Sequence, residues 1–180
     1  MDPHDERQLV ERARQGSIDC FGQLYDRYYA AMVGLAYSLL LDRHLAEDAA
    51  QETFAAACRS LRDLRDADRF AGWLASICRN VSRDMIRSRR ERITADPPEV
   101  VQDPPEYDDT ADAVKRAIRS LPEAHREVIY LRYYNGLSYE RMAQMLGSTV
   151  QAVNGRILRA KRILEKFLKR DGLVVNDHET

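Results

Sequence analysis

Nowhere does this chain run uninterrupted through the roughly 18 to 20 apolar residues that a bilayer crossing needs. Its acidic start, Met1-Asp2-Pro3-His4-Asp5-Glu6, also lacks the basic-then-apolar order of a secretory leader, so a cytoplasmic protein without direct membrane insertion is expected. Cysteine is scarce. Cys20, Cys58 and Cys78 are odd in number and widely spaced, which excludes a legible disulfide framework or CxxC metal knuckle and predicts reduced, semi-buried thiols. Eight Gly and six Pro in 180 residues are too few for a low-complexity chain. What is present is 44% hydrophobic and 32% charged, the balance of a soluble globular protein of one ordinary domain or two small ones. A half of about 70 residues would be only modestly stable alone.

The net charge of −1 hides a division. Residues 1–90 hold 14 Arg and 14 acids, residues 91–112 one Arg and eight acids, and residues 113–180 13 basic and seven acidic groups. The middle piece contains four of the six prolines as two Pro-Pro pairs, which remove amide donors and disfavour helix in the preceding residue. It reads as an extended acidic linker. Two roles remain open for it: a solvated spacer, or a mimic of nucleic-acid charge that screens the basic half.

On both sides of the linker apolar residues recur every three or four positions, with little alternation, so the fold class is all-α. Helices are expected near 5–15, 18–40, 43–64 and 69–90, with Ser17 and Asp42 as caps, then at 112–120, 122–134, 138–146 and 150–169. Pro122 suits a first helical turn. The expected organisation is two small helical domains, 1–90 and 113–170, joined by 91–112 and followed by a tail at 171–180.

Two segments carry chemistry. In 69–90, Phe70, Trp73, Leu74, Ile77 and Val81 fall within one sector of roughly 120°, while Arg79, Arg83, Arg87 and Arg90 cluster within about 80° opposite. Guanidinium groups at every turn suit a phosphate backbone, because each planar fork binds two oxygens. Asn80 and Trp73 lie between the faces, where an amide can read a base edge and an indole can support a stack. Core packing of Trp73 and plain solvation of the arginines are the alternatives. In 138–170, a Ser138 cap, a short apolar-faced helix, the Gly147 turn and a longer basic helix have helix-turn-helix grammar. Val150, Val153 and Ile157 would face inward. Gln151, Asn154 and Arg156 would then reach base edges in a major groove, with Arg159, Lys161 and Arg162 on phosphates. A helical hairpin without DNA is the alternative, and Gly155 inside the second helix is unfavourable by about 1 kcal/mol relative to Ala.

Four segments in order resemble the bacterial sigma factors of the sigma-70 family, extracytoplasmic-function group. FGQLYDRYY at 21–29, LAEDAAQETF at 45–54 and FAGWLASICRNVSRDMIRSRR at 70–90 are similar to promoter-binding region two. LPEAHREVIYLRYYNGLSYERMAQMLG at 121–147, with the helix after it, is similar to region four. The chain departs from the usual pattern at Arg141 and Met142, where an acid and Ile are common, and at Ser148, where an apolar residue is usual. The resemblance implies a dissociable, non-enzymatic specificity subunit that joins core RNA polymerase. Docking on the clamp helices of the largest subunit would use Asp48, Gln51 and Glu52. It further implies capture of single-stranded promoter DNA by the loop from Arg65 to Phe70 and the Asn80 side of the next helix, and duplex binding by the second domain. An anti-sigma factor, membrane-tethered in many cases, is the implied regulatory partner.

No cofactor is expected. His44, Glu47, Asp48 and Glu52 form the one helical cluster with metal-ligand chemistry, and no second set faces it in sequence. A stand-alone helix-turn-helix regulator with an N-terminal sensor domain is the alternative function. It accounts for the basic second half but not for the arginine stripe or the acidic face.

Overall fold

The structure is a computed structural model, and it describes residues 3–95 and 109–171. The described residues contain helices, turns and loops only. The first unit comprises α1 (Pro3–Arg14), α2 (Ile18–Leu40), α3 (Arg43–Ser60) and α4 (Phe70–Ala95). The second comprises α5 (Asp109–Ser120), α6 (Glu123–Ile129), α7 (Tyr139–Leu146) and α8 (Val150–Arg170).

Local chemistry sets most boundaries. Ser17 accepts a hydrogen bond from the Cys20 amide, Asp42 from that of Leu45, Ser138 from that of Arg141 and Thr149 from that of Ala152, so each helix start has an orphan N–H satisfied. Gly147 ends α7 with φ of 56°, a left-handed conformation that glycine adopts without a Cβ clash.

Several expectations need correction. The helix expected at 43–64 stops at Ser60, and two 3-10 turns, Leu61–Asp63 and Ala67–Arg69, lead into α4. The Asp66 carboxylate accepts from the Asp68 amide and so caps the second of these turns. Pro122 precedes α6 as its cap, with extended ψ of 145°, and α6 passes into a π-helical turn at Tyr130–Tyr134. Helix α4 runs to Ala95 and α5 begins at Asp109, so both ends of the presumed linker are helical, while 96–108 lie outside the described residues, as does most of the tail. Of the cysteines, Cys20 and Cys78 are buried but Cys58 is exposed. Burial pushes the Cys78 thiol up to about 11, although the neighbouring Thr53 and Ser82 hydroxyls pull the other way, so it stays protonated.

The two units are docked, an arrangement that the sequence leaves open. One apolar core joins Leu24, Tyr28, Leu35, Phe70 and Leu74 of the first to Val128, Leu131, Met142, Met145, Val153 and Ile157 of the second. A smaller cluster, Leu121, Ile129 and Ala160, ties α8 to α6 and the end of α5. Polar contacts add direction. Asn135 donates its amide to the Ala30 carbonyl at 2.7 Å, and Arg126 donates to the Ser38 carbonyl and to those of Arg119 and Leu121.

Two glycines inside first-unit helices lie where the second unit arrives. A Cβ on Gly34 would overlap the Asn135 side chain, and one on Gly72 would come to 3.0 Å from the Gln144 carbonyl oxygen. Gly22, by contrast, has nothing within 4 Å. Gly34→Ala should therefore separate the units, seen as a larger radius of gyration in small-angle scattering. Gly22→Ala should leave docking intact and raise stability by about 0.5–1 kcal/mol in thermal unfolding. Unchanged dimensions in Gly34→Ala would contradict this account of the interface.

Candidate nucleic-acid interface and its intramolecular cover

Alanine-rich packing of α3 positions the first proposed contact face. Ala46, Ala49, Ala50, Phe54 and Ala57 are buried, which turns Asp48, Gln51 and Glu52 outward, all exposed. Glu52 pairs with Arg59 at 2.8 Å, two turns along the same helix. The three side chains share a surface, as their spacing predicts.

The arginine stripe of α4 does lie opposite the first-unit core, but it is not an open face. Arg79 Nε donates to Glu127 Oε1 at 2.7 Å, with side chains only 17% and 7% exposed, and Arg83 donates to Glu123 at 2.8 Å. Four residues separate the arginines and four separate the glutamates, so one helical turn of cations meets one turn of anions. Arg87 pairs locally with Asp84 at 2.9 Å, and Arg90 also has a partner. Sequence reasoning misses Glu123 and Glu127. It considers charge mimicry only for the linker, as one of two open roles; the carboxylates that cover the stripe among the described residues come from α6.

Around this face the single-strand candidates differ in access. Asn80 is exposed and Trp73 half-buried, its ring centroid 5.8 Å from that of Phe70. Phe70 itself is fully buried, edge-on to Tyr28, which corrects its placement among surface contacts: it anchors the loop from below. Arg65 is exposed, and the loop is held by Arg7 of α1, which pairs with Asp68 at 3.3 Å, and by Arg69 with Asp66 at 3.4 Å.

The helix-turn-helix is formed by α7 and α8. Val153 and Ile157 are buried, Val150 is 37% exposed in contrast to its expected inward position, and α8 runs unbroken through Gly155. Gln151, Asn154, Arg159, Lys161 and Arg162 are exposed and Arg156 is half-buried. Lys161 lies 5.5 Å from the ring centre of Tyr133.

These helices identify the family when compared with known proteins. Sigma-70 region 2 matches residues 24–92, and Sigma-70, region 4 matches 111–164. The RNA polymerase sigma-H factor of Pseudomonas aeruginosa is 32% identical over 91% of this chain and 94% of its own length. The sigma factor CnrH of Cupriavidus metallidurans is 34% identical over 95% and 98%. The chain belongs to the sigma-70 family, extracytoplasmic-function group. It is a dissociable, promoter-directing sigma factor.

Solved structures agree. CnrH in complex with the cytosolic domain of CnrY has a TM-score of 0.65 at 32% identity, covering 94% of this chain and 99% of that one. RpoE of Bartonella quintana, in complex with the anti-sigma factor NepR, has a TM-score of 0.59 at 28% identity over 86% and 99%.

The unusual Arg141 of this sigma factor now has a structural reason. It forks onto Glu6 of α1, Nη2 to Oε2 at 2.7 Å and Nη1 to Oε1 at 3.2 Å, and its guanidinium lies 4.5 Å from the centre of the Tyr28 ring. Tyr28 donates its hydroxyl to Glu6 at 2.6 Å and Arg27 donates at 3.3 Å. Burial pushes the Glu6 carboxyl up, but the hydrogen bonds from Arg141, Tyr28 and Arg27 outweigh it and hold the group below its ordinary value of 4.5. Tyr28 and Arg27 belong to the same unit as Glu6, so the part of the depression linked to docking is that from Arg141, which is present at neutral pH and lost as the pH falls through the docked value. Labels on the two units should therefore move apart on acidification below about pH 4.5. Glu6→Gln should weaken docking by about 1–3 kcal/mol at neutral pH and remove this acid-dependent step. An identical acid profile in the variant would show that Glu6 is not the group responsible.

Proposed function

We propose that this sigma factor acts by exchanging intramolecular carboxylates for DNA phosphates. In the docked form α6 covers Arg79 and Arg83; on assembly with core RNA polymerase the units separate and the α4 face takes up a separated promoter strand. The carrying observation is the matched spacing of Arg79–Glu127 and Arg83–Glu123 across the two units.

Polymerase docking uses the exposed Asp48, Gln51 and Glu52, whose anionic and amide groups suit arginines on the clamp helices of the largest subunit. Downstream, Asn80, Trp73 and Arg65 hold unstacked bases while Arg79, Arg83, Arg87 and Arg90 follow the backbone, and Phe70 supports the loop from within. Opening is then binding to the opened state: capture offsets the few kcal/mol of unpairing only if separated strands bind better than duplex. Upstream, Gln151, Asn154 and Arg156 read base edges of intact duplex and Arg159, Lys161 and Arg162 set position on phosphates. No covalent step is involved, and the site of action is the cytoplasm. In the described residues no helix is long and apolar enough to cross a membrane. An anti-sigma factor is the proposed regulator, by analogy with the complexes of CnrH and RpoE. Such a partner would act by stabilising the docked form.

In vitro transcription with purified core enzyme tests the proposal. Asn80→Ala should slow promoter opening, followed by permanganate reactivity of unpaired thymines, while leaving assembly with core intact. Arg156→Ala should weaken upstream-element recognition by about 1–3 kcal/mol and only on the cognate sequence. Loss of core binding in Asn80→Ala, or equal loss on all sequences in Arg156→Ala, would reverse the respective assignment.

A further inference from the structure

Away from the α4 stripe, a cleft of about 430 Å³ opens between the carboxy-terminal end of α1 and the turn at Leu61–Asp63, lined by Glu11, Arg14, Gln15 and Arg62. All four are polar, so the cleft does not suit an apolar ligand. The Arg14 Nε is buried with no hydrogen-bond partner, and neither Arg14 nor Arg62 has an ion-pair partner among the described residues. A guanidinium cannot discharge by losing a proton, and an orphaned buried donor calls for an acceptor.

Three nearby acids are paired with other arginines, while Asp63, beside Arg62, is exposed at the turn. Glu11 is held by Arg7 at 3.1 Å, Asp68 also pairs with Arg7, and Asp66 pairs with Arg69. Arg14, Arg62 and the Gln15 carboxamide thus line the cleft, together with the Glu11 carboxylate that Arg7 neutralises. A phosphate group matches them: its oxygens can accept from two planar forks and an amide together. A single monovalent carboxylate would offer fewer acceptors.

We infer that the Arg14–Arg62 cleft is a phosphate-binding site. The phosphate is either a phosphodiester of the separated promoter strand or the terminal phosphate of a free anion. The first source rests on the promoter-opening reading above; the second does not. The strand source is favoured by continuity, because Arg62 lies three residues before Arg65, in the turn that leads to the loop at Arg65–Phe70.

Two arms test it with the full chain. In the first, inorganic pyrophosphate is titrated into the isotopically labelled protein, and the arginine Nε–H resonances are followed. A saturable shift of Arg14 that disappears in Arg62→Ala supports the site. In the second, polymerase holoenzyme binds forked promoter DNA in which single downstream phosphates are replaced by methylphosphonate. One position should lose about tenfold in affinity in the wild type and nothing further in Arg14→Ala or Arg62→Ala. Each alanine variant should also flatten the salt dependence by about 0.7. Arg14→Lys and Arg62→Lys keep the charge but lose the fork, and should bind between wild type and alanine; melting curves check folding. Pyrophosphate binding without a sensitive strand position assigns the free anion. A sensitive position coupled to both arginines, without pyrophosphate binding, assigns the strand. No arginine-dependent response in either arm overturns the inference. Failure of wild-type holoenzyme to open promoters would overturn the functional reading instead, and the pyrophosphate arm would still report on the cleft.

Discussion

Arg79 and Glu127 constrain everything else in the docked molecule, because each buries a charge that the other alone satisfies. Their side chains are 17% and 7% exposed, and a buried ion left without its partner is strongly unfavourable. Separation of the units returns both to water, which removes the desolvation penalty for each and frees the guanidinium fork for another anion. A phosphate is one. The same arginine is thus satisfied by carboxylate in the docked form and by phosphate in the separated one, and the difference between those two affinities is its contribution to the balance.

The docked arrangement is written into residues that would be poor choices for an isolated first unit. Gly34 and Gly72 lie inside helices, where each is unfavourable by about 1 kcal/mol relative to Ala. Both stand where a side chain or a carbonyl of the second unit approaches. Arg141 follows the same logic. On a free helix-turn-helix it would be a solvated cation, whereas here it completes the Glu6, Tyr28 and Arg27 network, and it explains a departure from the usual family pattern that sequence alone leaves unaccounted for. Apolar packing gives docking its strength and these polar contacts give it register.

Local features are legible in the amino-acid sequence: the helices, the Ser17, Asp42 and Ser138 caps, the Gly147 turn and the outward set Asp48, Gln51 and Glu52 follow from spacing of three or four and from side-chain chemistry within a few residues. Nonlocal features are not. The Arg79–Glu127 pair spans 48 positions and Arg141–Glu6 spans 135, so no periodicity within one helix reveals either. A helical wheel puts Arg79 opposite the core of its own unit, which is correct, and cannot report that another unit covers that side. Phe70 is misplaced for a related reason: position next to a DNA-facing loop does not imply exposure, and its ring points at Tyr28. Signals do exist. Two helix-interior glycines and an i, i+4 glutamate pair matching an i, i+4 arginine pair are visible in the sequence once docking is suspected.

Coverage is unequal between the two proposed DNA faces, and under the proposed function that inequality orders events. Gln151, Asn154, Arg159, Lys161 and Arg162 are exposed in the docked form, so duplex contact by α8 requires no loss of intramolecular ion pairs. Arg79 and Arg83 are engaged by α6, so strand capture requires both pairs to break. The α7–α8 surface is thus competent before the α4 face is. Since α6 packs on α8 through Ile129 and Ala160, a separation that carries α8 away from the first unit with α6 attached also withdraws Glu123 and Glu127 from the arginines, at the cost of the apolar core that Val153 and Ile157 share with the first unit. Under the proposed function, recognition of intact duplex can thus precede exposure of the strand-binding face, and promoter opening is contingent on the separation that breaks both pairs.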